Sequence, residues 1–513
     1  MIGRIALGVL LLAGSVVSVL GESAETAAEQ LARRPWTETR TGHFNVYSCG
    51  EIRDISRVAA RLEQFRQAYA VLAGAAAVSS PPIVVMAYPD HAEMEPFLPL
   101  YQGRPASMTA FFHHGVDENL IVLPLTGVGT NAMQVIYHEY THLLLRHNDA
   151  FWPLWLKEGM AEIYATFEVT GPHSARIGQP LDRHLSLLAG QPMMPLSELF
   201  AVTHDSPQYN ESEHQGVFYA ESWLLTHYLM LGDNPALKAR FGQLTVLLSQ
   251  GRALTEAFTM AFHVTLPAMD KQLKDYLERG KFEPLTLTIG SDLTASQVIS
   301  TRRIAPVEIW FHLSDQLMRV GRLESAEACL KHALLVAPRS PFGYEGMGLL
   351  AAEADKPGQA MNDLHEALDL GSTSYLAHYT YASERLKLSA ASKDEYRRVP
   401  NPEATEIRSE LQKSLMLMPD FGPAHHLLGF FEMVQGDDLN AAQEHLKRAI
   451  QLDPEDESYQ LSLAQAQMRA NDTAAARRTL EHLRLPYVDE HIRALAADLI
   501  KELGQRVDAA PGR

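Results

Sequence analysis

The chain is poor in cysteine and short of positive charge. It has two cysteines, Cys49 and Cys329, in 513 residues. They fall in what are read below as different domains, so a stabilising disulfide is not expected even in an oxidising compartment. Neither thiol is a good ligand candidate, and Cys329 lies on the apolar face of a helical pattern, where a buried inert thiol is the usual outcome. Lys and Arg number 44 against 62 Asp and Glu, a formal net charge of -18. That deficit excludes partners recruited by phosphate neutralisation, nucleic acid first among them. After the first residues no apolar run is long enough to span a bilayer, and no long low-complexity tract occurs. With 46% hydrophobic and 21% charged residues, the chain has the composition of a folded protein of two or three domains.

The one long apolar stretch is N-terminal. Arg4 gives a short positive start, an apolar run follows to Leu20, and small Gly21 suits cleavage. This pattern predicts a signal peptide over 1–21, and hence a periplasmic or secreted protein, with an uncleaved N-terminal anchor as the alternative. Beyond it, 41–48 (TGHFNVYS) alternates as a half-buried strand does, 52–72 has helical spacing, and 82–87 and 119–124 are short β-branched runs. A small sheet is therefore expected before the first long helix, 131–146. From 197 to 279 the pattern is helical, and 281–304 is polar and strand-like. The domain boundary is placed in that segment, giving one domain over 35–290 and a second over 305–505.

The second domain carries small residues in a fixed register. Gly321, Ala326, Ala333 and Pro338 make one unit, and Gly348, Ala360 and Ala367 a second. Gly429, Gly436, Ala442, Ala449 and Pro454 form another, followed by Ala464, Asn471 and Ala476. Small residues at such intervals let paired helices approach closely, and about five units with a capping helix over 490–503 predict an all-α solenoid. This stretch of roughly 200 residues resembles the tetratricopeptide repeat family. The resemblance implies a protein partner bound through the repeats.

In the first domain, 138–142 read HEYTH. Residues four apart project from one helical face, so His138 and His142 can present two imidazole nitrogens to one metal, with Glu139 placed beside a metal-bound water as general base. A catalytic zinc needs a third protein ligand, and Glu158 in WLKEGMAE supplies it. The domain over these residues resembles the gluzincin metallopeptidases, in which HExxH is followed by a helix bearing a ligand Glu. That resemblance implies an α+β peptidase domain with a small N-terminal sheet and a mainly helical remainder. It implies one Zn2+ per chain held by His138, His142 and Glu158, with Glu139 as base. It further implies Glu162 as the carboxylate orienting a ligand histidine, and Tyr219, in FYAESWLLTHYL, as a donor to the developing oxyanion.

The expected activity is hydrolysis of a peptide or protein substrate. The GxMEN motif that would hold a substrate amine is missing before HEYTH, which favours endopeptidase over exopeptidase action. The run 119–124 is weighed equally as an edge strand receiving an extended peptide and as an internal strand. His113 and His114 are kept out of the site. Two other readings stand beside this one. The first is a catalytically weak or inactive peptidase-like scaffold whose repeats mediate protein–protein interaction. The second is a zinc hydrolase of another amide bond.

Overall fold

The computed structural model describes residues 23–73, 83–126, 130–145, 151–210, 212–293, 297–390, 398–485 and 488–509. The expected signal segment lies outside them. Among the described residues no helix is long and apolar enough to cross a membrane.

Helix α1 (Ala24–Ala32) leads into strands β1 (Thr37–Arg40) and β2 (Phe44–Ser48), helix α2 (Ile52–Ala73), and strands β3 (Ile83–Tyr88), β4 (Phe111–His113) and β5 (Leu120–Pro124). Helices α3 (Thr130–Leu145) and α4 (Leu154–Ala165) follow, then the hairpin β6 (Glu168–Gly171) and β7 (Ser174–Ile177). The remainder of this part is helical: α5 (Asp182–Gly190), α6 (Ser212–Leu231), α7 (Pro235–Ser249), α8 (Leu254–Phe262) and α9 (Leu266–Arg279). It ends with β8 (Leu285–Thr288) and β9 (Ser300–Arg303).

The main sheet has six strands in the order β9-β1-β2-β3-β5-β4. Strands β2, β3 and β5 run parallel, and β9, β1 and β4 are antiparallel to their neighbours. Every residue of β3 and of β5 is buried, as a parallel strand covered on both faces requires. Ile83, Val85 and Ala87 point into a core shared with α2 and α3. Val84, Met86 and Tyr88 point into a second core whose other side is Trp310, Leu313 and Leu317 of the first repeat helix. Sheet and repeats therefore share a core.

This arrangement places two segments singled out in the sequence. The run 119–124 is an internal strand, and the edge strands of the sheet among the described residues are β4 and β9; the three residues of β4 are too few for alternation to reveal a strand. The segment 281–304, read as polar and strand-like, holds two strands: β8 pairs with β7 and β9 pairs with β1. All four residues of β9 are exposed, so its place is fixed by backbone pairing and by the ion pairs of Arg302 with Glu38 and Glu308, none of which leaves a hydrophobic signature.

From α10 (Pro306–Arg319) onward the chain is helix pairs. The partner of α10 is α11 (Leu323–Val336). Next come α12 (Pro341–Glu353) with α13 (Pro357–Asp369), α14 (Tyr375–Ala390) with α15 (Glu403–Leu417), and α16 (Gly422–Gln435) with α17 (Leu439–Leu452). The last pair is α18 (Glu457–Arg469) with α19 (Thr473–His482), followed by α20 (Glu490–Ala509). The registered alanines Ala326, Ala333, Ala360, Ala367, Ala442 and Ala449 are fully buried. Close approach explains two of the glycines: a Cβ on Gly348 would stand 2.5 Å from Leu364 Cγ, and one on Gly429 2.8 Å from the Ala442 carbonyl oxygen. Gly321 and Gly436 instead serve turns, at φ +76° and +71°. Both cysteines are buried and free, in the core that joins sheet and repeats.

Candidate metal centre

Helices α3 and α4 cross so that the sequence-predicted ligands meet. His138 Nε2 and His142 Nε2 are 3.2 Å apart. Glu158 Oε2 lies 3.3 Å from the first and 3.4 Å from the second. An ion held tetrahedrally by N and O atoms at about 2.0–2.1 Å has ligand–ligand edges of about 3.3 Å, so the triangle has the size a zinc ion demands. Glu158 Oε2 is a buried oxygen with no hydrogen-bond donor, an arrangement that costs free energy unless a cation sits beside it. Among the described residues these three form a group of His, Cys, Asp or Glu whose atoms converge as metal ligands do. The residues present therefore fit the zinc implied by the sequence.

The electrostatics agree with that geometry. Burial would lower the His138 pKa, but the Glu158 carboxylate beside it and the nearby Glu162 and Glu139 raise it to about 9. Burial would raise Glu158, and the His142 and His138 imidazoles instead bring it down to about 2. A buried carboxylate facing two imidazole nitrogens is an environment that suits a dication. Glu139 is half-buried. Burial raises its carboxyl against the pull of His138 and His142, a shift towards the range a general base needs.

Glu162 sits one turn after Glu158, and its Oε1 is 3.4 Å from His138 Nδ1, the ring nitrogen facing away from the triangle. Two further groups hold Glu162: Arg183 donates to both carboxylate oxygens at 3.0 and 2.7 Å, and His184 Nε2 is 3.0 Å from Oε2. Burial opposes ionisation of Glu162, but His184 and His138 depress its pKa far below the usual carboxylate range. Sequence reasoning missed Arg183 and His184, which reach the site from α5 with no recognisable spacing to HEYTH.

Tyr219 is buried on α6 with its ring centroid 6.0 Å from that of His138. It does not stand alone. Tyr209, from a helical turn at Pro207–Asn210, stacks on Tyr219 at 6.1 Å, and its hydroxyl donates to Glu158 Oε1 at 3.4 Å. The two tyrosine hydroxyls also pair with each other. Tyr209 is thus the tyrosine that touches a ligand, and nothing in its polar sequence surroundings marked it.

Packing of α4 on α6 positions both Glu158 and Tyr219, and it depends on Gly159. A Cβ there would lie 2.1 Å from Thr226 Oγ1 and 2.4 Å from the Ser222 carbonyl oxygen. Gly159→Ala should therefore force the helices apart, costing about 1–3 kcal/mol as overpacking does. Thermal denaturation of the variant checks this, and an unchanged midpoint would show that the helices tolerate the added methyl.

Comparison with known proteins reaches the helical half of the chain. Tetratricopeptide repeat models match residues 307–340 and 433–499. Among solved structures, YrrB, a TPR protein described as having an unusual peptide-binding site, aligns at 17% identity over 38% of this chain and 91% of its own, with a TM-score of 0.31. TTC0263, a TPR protein of Thermus thermophilus, aligns at 17% identity over 38% of this chain and 98% of its own, with a TM-score of 0.30. PilF of Pseudomonas aeruginosa aligns at 17% identity over 40% and 87%, with a TM-score of 0.31. No curated protein matches. The helix pairs that follow the sheet therefore include tetratricopeptide repeats.

Proposed function

We propose that this chain is an exported zinc-dependent metallopeptidase of the gluzincin type, acting as an endopeptidase, with repeats that recruit a protein substrate or partner. The observation that carries the reading is the convergence of His138, His142 and a buried Glu158 carboxylate oxygen on a triangle of 3.2–3.4 Å edges. A bound zinc ion would supply Lewis acidity and a water that ionises near neutral pH. Glu139 takes a proton from the attacking water and returns it to the leaving amine nitrogen. Tyr219 offers its phenolic proton to the carbonyl oxygen as charge develops there, while Tyr209 donates to the ligand Glu158. Glu162, fixed by Arg183 and His184, faces His138 Nδ1 at 3.4 Å and so favours the ring orientation that turns Nε2 towards the triangle. The open edge of β4 offers unpaired backbone groups to an extended peptide.

The second reading is a peptidase-like scaffold whose repeats mediate protein–protein interaction. It is favoured by the matches to tetratricopeptide repeats, which fall on the helical half of the chain alone. Zinc content separates the two. The peptidase reading predicts one zinc per purified wild-type chain and a large loss in His142→Ala, measured by elemental analysis. A wild-type protein that takes up no zinc when supplied with it would leave the scaffold.

A further inference from the structure

We propose that Tyr209 is a positioning residue for the metal ligand Glu158: its hydroxyl engages the carboxylate oxygen that is not a corner of the triangle, so that Glu158 presents a single oxygen to the ion and a coordination position stays open. The proposal rests on the reading of His138, His142 and Glu158 as ligands and goes beyond it in assigning what sets the denticity of the carboxylate.

A carboxylate has two oxygens and can hold a cation through one or both. Around Glu158 the two are not equivalent. Oε2 lies 3.3 Å from His138 Nε2 and 3.4 Å from His142 Nε2, which makes it the corner of the triangle. Oε1 accepts from the Tyr209 hydroxyl at 3.4 Å. A phenol has one proton to donate. With that proton on Glu158, the contact between the two tyrosine hydroxyls leaves Tyr219 donating and Tyr209 accepting, so both neighbours of the Tyr209 oxygen aim its proton at the carboxylate. An Oε1 engaged in a hydrogen bond is less available to a cation. Glu158 held to one oxygen gives three protein donors with the two histidines, the number that a catalytic zinc site keeps.

The segment that delivers Tyr209 lies mostly at the surface: Thr203, His204, Asp205 and Pro207 are exposed. Its turns close locally. The Thr203 N–H donates to Ser206 Oγ at 2.9 Å, and the Tyr209 N–H to the Ser206 carbonyl oxygen at 3.0 Å. Aromatic contacts hold the ring. Tyr219 stacks on it at 6.1 Å and Phe218 meets it edge-on at 5.9 Å, both from α6, with His204 at 5.2 Å. The ring therefore places the residue and the hydroxyl acts on the ligand. Phenylalanine keeps the first and deletes the second, which a brace of the fold would tolerate and a positioning residue would not.

The test uses the full-length protein freed of metal, with zinc affinity measured by competition against a chromophoric chelator. Tyr209→Phe should weaken zinc binding by about 10- to 100-fold, the usual cost of losing a hydrogen bond to a metal ligand. In a Glu158→Ala background the same substitution should change affinity by less than about twofold, because its effect runs through the carboxylate that is gone. In the cobalt-substituted protein Tyr209→Phe should weaken the visible absorption bands, as a second carboxylate oxygen raises the coordination number. Wild-type affinity together with an unchanged cobalt spectrum in Tyr209→Phe would overturn the proposal and leave the three ligands standing. An equal loss of affinity in the Glu158→Ala background would overturn it as well, since Tyr209 would then act by another route. The metal-free variant should melt with the metal-free wild type; weaker binding accompanied by a lowered midpoint would make Tyr209 a brace of the fold. A wild-type protein that binds neither zinc nor cobalt would sink the ligand assignment itself, and the proposal with it.

Discussion

Glu139→Gln is expected to lower turnover of a peptide substrate by about 10²- to 10⁴-fold while zinc content stays at the wild-type level. The amide has the size and shape of the carboxyl, so helix α3 and the imidazoles of His138 and His142 keep their places. What it loses is the ability to take a proton. Glu139 is not one of the three converging ligand groups, and its loss leaves the 3.2–3.4 Å triangle of donor atoms intact. His142→Ala removes a corner of that triangle and should lose zinc and turnover together. The pair of variants therefore separates base from ligand, with elemental analysis and a cleavage assay on the same preparations. A Glu139→Gln protein with full activity would mean that another group carries the proton, and the mechanism proposed for this site would fall.

The centre of the site was readable because it is local. Two histidines one helical turn apart define a face without knowledge of the fold, and the WLKEGMAE stretch holds both the third ligand and Glu162 on a single helix. The groups that finish the site come from elsewhere. Arg183 and His184 arrive on α5, and Tyr209 arrives on a short helical turn; each is brought in by tertiary packing, which leaves no period in the sequence. The sheet divides the same way. Strand β3 announced itself through β-branched residues, whereas β9 consists of four exposed residues held by backbone hydrogen bonds to β1 and by the ion pairs of Arg302. The repeats were legible for the opposite reason: each pair meets the next through the same small-residue positions, so the constraint that places Gly348 against Leu364 recurs at Gly429 against Leu446.

The register of small residues could not show that the first repeat is also the second layer of the sheet, and Arg319 marks where that junction is most exposed to damage. Its buried guanidinium bonds Asp117 twice and Asp315 at 2.8 Å, and it lies 3.6 Å from a Glu118 carboxylate oxygen. Burial would raise Asp117, but Arg319 holds it below its ordinary range. Burial raises Glu118 to about 8 even against the pull of Arg319. Arg319→Met removes the cation and leaves the carboxylates buried, so stability at neutral pH should fall by about 3–5 kcal/mol, the cost of breaking a buried ion pair from one side. The sign of the pH dependence follows. Without the guanidinium the Asp117 pKa rises above its unfolded value and that of Glu118, already raised by burial in the wild type, rises further, so the folded variant binds more protons than the folded wild type over that interval. Its stability is then greatest below the unfolded carboxylate range and falls as pH rises through the raised values. Denaturant unfolding of wild type and Arg319→Met between pH 5 and 8 should accordingly show a gap that widens towards pH 8. A gap that narrows over the same interval would mean that lost packing of the arginine stem, and not the orphaned carboxylates, sets the cost.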